Sequence, residues 1–192
     1  MKKGLILLAV LLVLGFWVKN MYNGLVGKDE NVKKYWAEVQ NQYQRRADLI
    51  PNLVNTVKGA ANFEQKTLTD VIEARAKATQ MKVDANDLSP EKIKEFQAAQ
   101  GQLSQALGRL MMITENYPNL KANQNFLDLQ SQLEGTENRI TVARKDFNDA
   151  VQDFNTSARS FPTNIFANMF NMKAKGTFEA DQAAQKAPNV QF

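Results

Sequence analysis

The side chains that could carry chemistry in this chain are carboxylates and arginines, because the chain contains no cysteine and no histidine. Cysteine and histidine supply most thiolate nucleophiles, zinc ligands and proton-transfer groups near neutral pH. Their absence excludes disulfides, zinc fingers, Glu-x-x-His di-iron sites and Ser-His-Asp triads. The candidate polar residues lie close to apolar helical faces: Arg45, Arg46, Asp48, Glu73, Arg75, Glu134, Glu137, Asn138, Arg139 and Arg144.

These polar residues admit two interpretations. Converging carboxylates could bind a hard metal ion or form an acid–base pair with separated pKa values, whereas charges on packed helices ordinarily make surface and inter-helix salt bridges. No loop combines alternating acidic residues with a glycine as calcium loops do, and neither a Gly-x-Ser-x-Gly motif nor a Walker loop occurs. The sequence therefore favours salt bridges, and we expect no catalytic residue, no cofactor, no metal and no enzymatic activity.

The charge distribution argues against nucleic acid as a partner. The chain has 24 Lys and Arg against 20 Asp and Glu, a formal net charge of +4. Lys2, Lys3 and Lys19 flank the first apolar segment, so the rest of the chain is nearly balanced. A nucleic-acid-binding domain normally concentrates positive charge on one face, and no run of five or more basic residues occurs.

The amino-terminal segment is typical of a membrane anchor. Residues 4–18 contain no charged or strongly polar side chain, and Trp17 and Lys19 end the apolar run. Fifteen helical residues rise about 22 Å, which is short of the roughly 30 Å hydrocarbon core. Interfacial aromatic residues and snorkelling lysines compensate for such a difference, which extends the predicted span to residues 4–22.

Two readings of this segment remain open, an uncleaved signal-anchor and a cleaved signal peptide. A cleaved signal needs small residues at its cleavage site, and residues 17–24 lack an Ala-x-Ala motif. We therefore expect an uncleaved signal-anchor that crosses the membrane once. The amino-terminal lysines favour a cytoplasmic amino terminus and an extracytoplasmic soluble domain, while Lys28, Lys33 and Lys34 favour the opposite orientation.

Apolar residues at intervals of seven dominate the rest of the chain and predict long helices packed lengthwise. The longest row runs from Phe126 to Phe161, and proline is absent from residues 119–161. A second helix begins at Ser89-Pro90, with the serine as amino-terminal cap. A row from Trp36 to Val57 predicts a third helix, in which Pro51 introduces a kink or break near residues 47–50. Residues 64–82 predict a fourth.

Four amphipathic helices joined by short connections predict an all-α fold, an antiparallel up-and-down four-helix bundle with an amino-terminal transmembrane helix. The predicted organisation is an anchor at 1–27, the bundle at 28–161, and a short amphipathic segment with a carboxy-terminal tail at 162–192. The last 15 or so residues are expected to be extended or disordered. Ile165, Phe166, Met169 and Phe170 would form one apolar face of the short segment, suited to a lipid surface, to a protein contact, or to capping the end of the bundle.

Several motifs follow one another along nearly the whole chain. They are Trp36, Gln44-Arg45-Arg46-Ala47-Asp48-Leu49-Ile50-Pro51-Asn52-Leu53-Val54, Glu73-Ala74-Arg75-Ala76, Glu115-Asn116-Tyr117-Pro118-Asn119-Leu120-Lys121-Ala122, Glu134-Gly135-Thr136-Glu137-Asn138-Arg139-Ile140, Ala143-Arg144, Phe147-Asn148, Phe161-Pro162, Phe178-Glu179-Ala180 and Ala187-Pro188. Together they make the sequence resemble the LemA family of bacterial membrane-anchored helical proteins. The resemblance implies one amino-terminal membrane helix in the bacterial inner membrane and an antiparallel four-helix bundle, and it carries no established reaction, cofactor or binding residue. Gene neighbourhood in the family implies a membrane metalloprotease as partner, in envelope stress or protein quality control.

The sequence thus favours a membrane-tethered, non-enzymatic scaffold or adaptor for envelope proteins, and it allows a homo-oligomer. Confinement to the bilayer raises the effective concentration towards other membrane proteins, so that a weak surface suffices. The candidate partner surface combines polar residues with the Pro51 irregularity. The alternative is a lipid-binding or membrane-remodelling protein that uses the Phe/Met segment. The residues of the candidate partner surface are Arg45, Arg46, Asp48, Pro51, Glu73 and Arg75.

Overall fold

The computed structural model describes residues 2–59 and 64–179, and across those ranges the chain is helical with no β-strand. The all-α prediction is therefore confirmed. Two parts of the chain lie outside the described residues. One is the connection from Ala60 to Phe63, before the helix predicted at 64–82, and the other is the tail beyond Glu179. The helices are α1 (Lys2–Lys58), α2 (Gln65–Gln80), α3 (Pro90–Thr114), α4 (Pro118–Lys121), α5 (Gln124–Arg159) and α6 (Thr163–Met169).

Helix α1 joins the apolar segment to the core of the folded domain without interruption. It has 57 residues, a length of about 85 Å, and the amino-terminal apolar window is long and apolar enough to cross a membrane while burying none of its residues in the protein. A kink or a break near residues 47–50 was expected, and the break does not occur, because α1 continues through Pro51 to Lys58.

The physical reason is a substitute hydrogen bond. A proline at position 51 has no N–H to offer the carbonyl oxygen of Ala47, four residues earlier. The Nε of Arg75 in α2 donates to that oxygen at 2.7 Å. The carbonyl group is therefore satisfied by a side chain from the neighbouring helix, and α1 can continue.

Helix α3 buries the apolar row that its heptad spacing predicts, and it begins at Pro90 as expected. The capping prediction is wrong in one respect, since the Ser89 side chain makes no capping hydrogen bond. The backbone carbonyl of Ser89 accepts the first hydrogen bond of the helix, from the N–H of Ile93. The buried residues of α3 are Ile93, Phe96, Gln100, Leu103, Leu107, Leu110 and Thr114.

Helix α5 buries five successive members of its predicted row, and the sixth departs from the prediction. Phe161 is 81% exposed, because α5 ends at Arg159 and the chain turns into α6. The end of the heptad pattern therefore coincides with the end of the helix. The buried members of the row are Phe126, Leu133, Ile140, Phe147 and Phe154.

The long helices pack lengthwise. Helices α1 and α5 run antiparallel along each other, since Lys28 pairs with Asp153 near one end and Arg46 pairs with Glu137 further along. Helices α2 and α3 lie side by side, and residues 81–89 connect them. The carbonyl oxygen of Val83 in this connection accepts hydrogen bonds from two side chains of α1. These bonds join the α2–α3 pair to α1.

Two hydrophobic clusters make up the core. The cluster nearer the apolar amino-terminal segment begins at Leu25 and is rich in aromatic rings. The far cluster, formed around Leu53, Leu103 and Leu110, is mainly aliphatic. Arg46 lies between them, and we call these two parts the anchor-side core and the far core.

Candidate functional site

A buried arginine occupies the boundary between the two cores. Arg46 is 1% exposed, and it stands in α1 where the heptad positions before and after it hold Val39 and Leu53. Its Nη1 donates to Oγ of Ser104 at 2.8 Å and to Oε2 of Glu137 at 3.0 Å. One side chain from α1 therefore binds both α3 and α5.

The second terminal nitrogen of Arg46 completes this polar layer. Nη2 donates to Oε1 of Gln100 at 2.7 Å and to the Gln100 carbonyl oxygen at 3.3 Å. The Nε2 of Gln100 in turn donates to the Ala78 carbonyl oxygen in α2 at 3.2 Å. Because an unpaired buried charge is costly, these bonds require all four long helices to keep one register.

The layer is closed on one side and open to solvent on the other. The guanidinium of Arg46 lies over the Tyr43 ring, 5.0 Å from its centroid, and its Nε has no hydrogen-bond partner. The Glu137 side chain is 53% exposed. The Arg46–Glu137 pair thus reaches from the core to the surface, where water can stabilise the carboxylate.

The predicted partner surface is divided by the structure into an interior and an exterior part. Arg46 is buried, so its guanidinium is not available to a partner in this arrangement, whereas Arg75 is half-buried and binds α1 through its Nε. Arg45, Asp48 and Glu73 are exposed. Pro51 is exposed as well, and the Asp48 carboxylate accepts a hydrogen bond from the Gln44 side chain at 2.7 Å.

A groove lies beside the exposed part of this surface. It has a volume of about 470 Å³ and is formed by α1, α2, α3 and the 81–89 connection. Tyr43, Ala47 and Phe96 supply apolar lining, while Gln40 and Gln44 supply polar groups. The groove and the adjacent Asp48 make a mixed apolar and polar surface.

The remaining carboxylates and arginines of the sequence prediction do not converge on one site. Glu134, Asn138 and Arg139 are exposed along α5, and Arg144 donates to the Glu179 carbonyl oxygen. Within residues 2–59 and 64–179, no group of three or more Asp and Glu side chains is placed to hold a metal ion.

The predicted apolar face of the short carboxy-terminal helix lies next to the end of the apolar amino-terminal segment. In α6 the Phe166 ring packs edge-on against Trp17 with a centroid distance of 6.1 Å, and the Phe170 ring lies 4.7 Å from Tyr22. Ala167 is buried in the anchor-side core. Ile165 and Met169, at 58% and 65% exposure, face away from the protein.

An extended segment that the sequence did not reveal follows α6. Residues 172–179, here called the strap, lie against α3 and α5. Three amide side chains each pair with both the N–H and the C=O of one strap residue: Asn155 with Lys175, Asn148 with Phe178 and Gln97 with Glu179. Side-chain amides thus replace the backbone pairing that a neighbouring strand would provide.

The strap also inserts side chains into the anchor-side core. Phe178 is 5% exposed, stacks on Trp36 at a centroid distance of 6.2 Å and lies 5.5 Å from Phe147. Gly176 passes so close to α3 that an added Cβ would lie 2.6 Å from Cα of Pro90. Only glycine fits at this position without displacing the backbone.

A pair of charges fixes the start of the strap. Nζ of Lys175 lies 2.7 Å from Oδ1 of Asp29 in α1. Burial opposes ionisation of Asp29, but hydrogen bonds and charge attraction from Lys175 and Lys33 outweigh it and lower the pKa of its carboxyl group. A hydrogen bond to Glu30 and, next in size, one to Asp29 raise the pKa of Lys33.

Comparison of the amino-acid sequence with known proteins identifies a family. The sequence pattern of the LemA family matches residues 35–192. The protein LemA of Metamycoplasma hominis is 27% identical over 165 residues, which cover 82% of this chain and 71% of the relative. The magnetosome protein MamQ 2 of Paramagnetospirillum magneticum is 25% identical over 93% of this chain and 73% of the relative. MamQ of Magnetospirillum gryphiswaldense is 24% identical over 79% of this chain and 62% of its own length. This protein therefore belongs to the LemA family.

Proposed function

We propose that this protein is a membrane-anchored, non-enzymatic scaffold that presents a partner-binding surface at a fixed distance from the bilayer. The observation that carries the proposal is the continuity of α1 from Lys2 to Lys58. A helix that crosses the membrane and then serves as a core helix of the soluble domain allows little independent motion between the two parts. A flexible tether would give no such fixed placement.

The proposed architecture is an antiparallel four-helix bundle of α1, α2, α3 and α5. The antiparallel pairing of α1 with α5 and the side-by-side packing of α2 with α3 support it. The shared contacts of Arg46 support it further, because they draw three of these helices into one layer and Gln100 adds the fourth.

The proposed location is the inner membrane, crossed once by residues 4–22, with the bundle on the extracytoplasmic side. The exposed apolar window of α1 supports a membrane span, and the relatives named as magnetosome proteins are consistent with a membrane-associated role. Alkaline phosphatase and fluorescent-protein fusions after Phe192 test the orientation. A fluorescent, phosphatase-inactive product would reverse it.

The proposed partner is another envelope membrane protein. The surface that we assign to it combines Arg45, Asp48 and Glu73 with the adjacent 470 Å³ groove. Two features support this surface: its side chains are exposed, and the Arg46 layer beneath it holds α1 and α3 in fixed register. Such a surface is preorganised, which lowers the entropy lost on binding.

Photo-crosslinking in native membranes tests this proposal. A photoreactive amino acid replaces Arg45 or Asp48 in the full-length protein, and the matched control carries it at Val142, which is 58% exposed on α5. We expect the two surface positions to give the same discrete adduct with one membrane protein, identified by mass spectrometry, and Val142 to give none. Identical adducts at all three positions, or only uncrosslinked monomer, would refute the proposed surface.

A further inference from the structure

The end of the molecule beside the anchor has an apolar surface that the folded chain leaves uncovered. Phe161 is 81% exposed, Met169 65%, Ile165 58% and Phe170 41%. All four lie in α6 or in the two-residue neighbourhood of its ends. Contiguous apolar side chains of this size on a soluble surface indicate a binding partner or a membrane.

The position of α6 along α1 indicates which of the two covers it. Its aromatic contacts are with Trp17 and Tyr22, at the end of the apolar stretch 4–18. Tryptophan and tyrosine are enriched at the level of the lipid headgroups. Since α6 is only about 10 Å long, its whole length lies close to the depth at which α1 leaves the hydrocarbon.

The charge distribution agrees with a lipid surface. The sequence has no acidic residue from 1 to 28 and none from 154 to 178. These two segments meet where α6 packs on α1, and Lys19, Arg159 and Lys173 are exposed there. A basic, acid-free surface around exposed apolar residues is the pattern of helices that lie at anionic membrane surfaces.

We infer that α6 is an interfacial membrane helix, docked on the anchor and embedded through Phe161, Ile165 and Met169 in the headgroup region of the bilayer. The inference rests on the proposed membrane span of α1. Helix α6 would then support the bundle at a second point, because α1 alone leaves the molecule free to tilt and rotate about a single stem. It would also supply interfacial apolar surface next to an anchor that is shorter than the hydrocarbon core.

Lipid-depth quenching in the full-length protein tests this inference, and the absence of cysteine from the chain makes single labelling sites simple to introduce. One variant carries Met169→Cys in α6. The matched control carries Met112→Cys in α3, a methionine of similar exposure, 71%, at the far end of the bundle. Leu8→Cys reports on the anchor itself. Each thiol is labelled with an environment-sensitive fluorophore, and the protein is reconstituted in vesicles of phosphatidylglycerol and phosphatidylcholine.

The measurement is quenching by phosphatidylcholine that carries a nitroxide on the upper part of its acyl chain. We expect several-fold stronger quenching at position 169 than at position 112, and strong quenching at position 8. Equal, weak quenching at 169 and 112 with strong quenching at 8 would overturn the inference and leave the anchor proposal standing. Weak quenching at position 8 would overturn both proposals.

A second copy of the chain on the same face gives a different outcome. The label at 169 would then be protected from iodide in the aqueous phase yet unaffected by the nitroxide lipid, and this result would also overturn the inference. All three replaced side chains are exposed, so the variants keep the core intact. Far-UV circular dichroism of each labelled protein checks that its helicity is unchanged.

Discussion

The anchor-side core and the far core solve the same packing problem with different side chains. The anchor-side core packs aromatic rings from three other parts of the chain around Trp36, namely Phe96 of α3, Phe147 of α5 and Phe178 of the strap. The far core relies mainly on Leu and Val side chains from the helices themselves. Within residues 2–59 and 64–179, only the anchor-side core is closed by a strap with directional hydrogen bonds. The difference indicates that the structure is most strongly specified in the core nearer the apolar amino-terminal segment.

The space between α3 and α5 also differs between the two cores. On the anchor side the strap fills it, and Gln97 of α3 and Asn148 of α5 both bind strap backbone. On the far side the space is an open groove of about 280 Å³ beside Leu107, Gly108 and Leu133. The two helices therefore contact each other through the strap at one end and leave space at the other.

The largest loss of stability is expected from replacing Arg46, which lies at the boundary between the two cores. Arg46→Ala leaves a cavity and orphans the buried amide oxygen of Gln100, and we expect a loss of about 4 kcal/mol in the free energy of unfolding. Arg46→Met keeps most of the volume and should lose distinctly less. Urea unfolding of the full-length protein in mild detergent, followed by far-UV circular dichroism, gives both values. Equal losses for the two variants would show that side-chain volume is irrelevant at this position.

A smaller loss of stability, with a structural change confined to the anchor-side core, is expected from a substitution in the strap. Phe178→Ala should lower the free energy of unfolding by about 3 kcal/mol and shift the native-state fluorescence of Trp36 to longer wavelength, because water reaches its ring. Phe126→Ala, in the far core, is the matched control and should destabilise without that shift. A Trp17→Phe background leaves Trp36 as the only tryptophan. A shift of the same size in both variants would contradict the separation of the two cores.

Much of the helical architecture was predictable because heptad spacing is a local property of the sequence. The buried face of α3 and five members of the α5 row follow directly from it. The burial of Arg46 also had a signal, since Leu25, Val32, Val39, Arg46 and Leu53 recur at intervals of seven. The sequence analysis assigned Arg46 to the candidate partner surface instead and so left the arginine exposed.

The features that sequence reasoning missed depend on contacts between distant parts of the chain. Pro51 reads as a helix breaker because the donor that replaces its missing N–H, Arg75, belongs to another helix. The strap has no periodic pattern of its own, and its backbone is satisfied by Asn148 and Asn155 of α5. Polar residues on a helix give no sign that they bind an extended segment.

The hydrogen bond from Arg75 to the Ala47 carbonyl oxygen can be tested by a double-mutant cycle with Pro51. Arg75→Met leaves the Ala47 carbonyl oxygen without its donor, and we expect a loss of about 1 kcal/mol. In a Pro51→Ala background the backbone N–H of residue 51 takes over, so the same change should cost distinctly less. Urea unfolding of the four proteins gives the coupling free energy. Additive effects would mean that Arg75 stabilises the protein by some other contact.

The smallest loss of stability is expected from breaking the Asp29–Lys175 charge pair, which joins the strap to α1. Folding lowers the pKa of Asp29 below its ordinary value of 3.8, so its contribution to stability is present above that pH and is lost as the pH falls through the folded-state pKa. Asp29→Asn should therefore destabilise the protein near neutral pH and flatten the decline in unfolding free energy below about pH 4. Asp153→Asn, which removes the partner of Lys28 instead, is the control for a general loss of negative charge. If both variants keep the wild-type slope in acid, the Asp29–Lys175 contact does not hold the strap, and the amide pairs and Phe178 alone account for its closure.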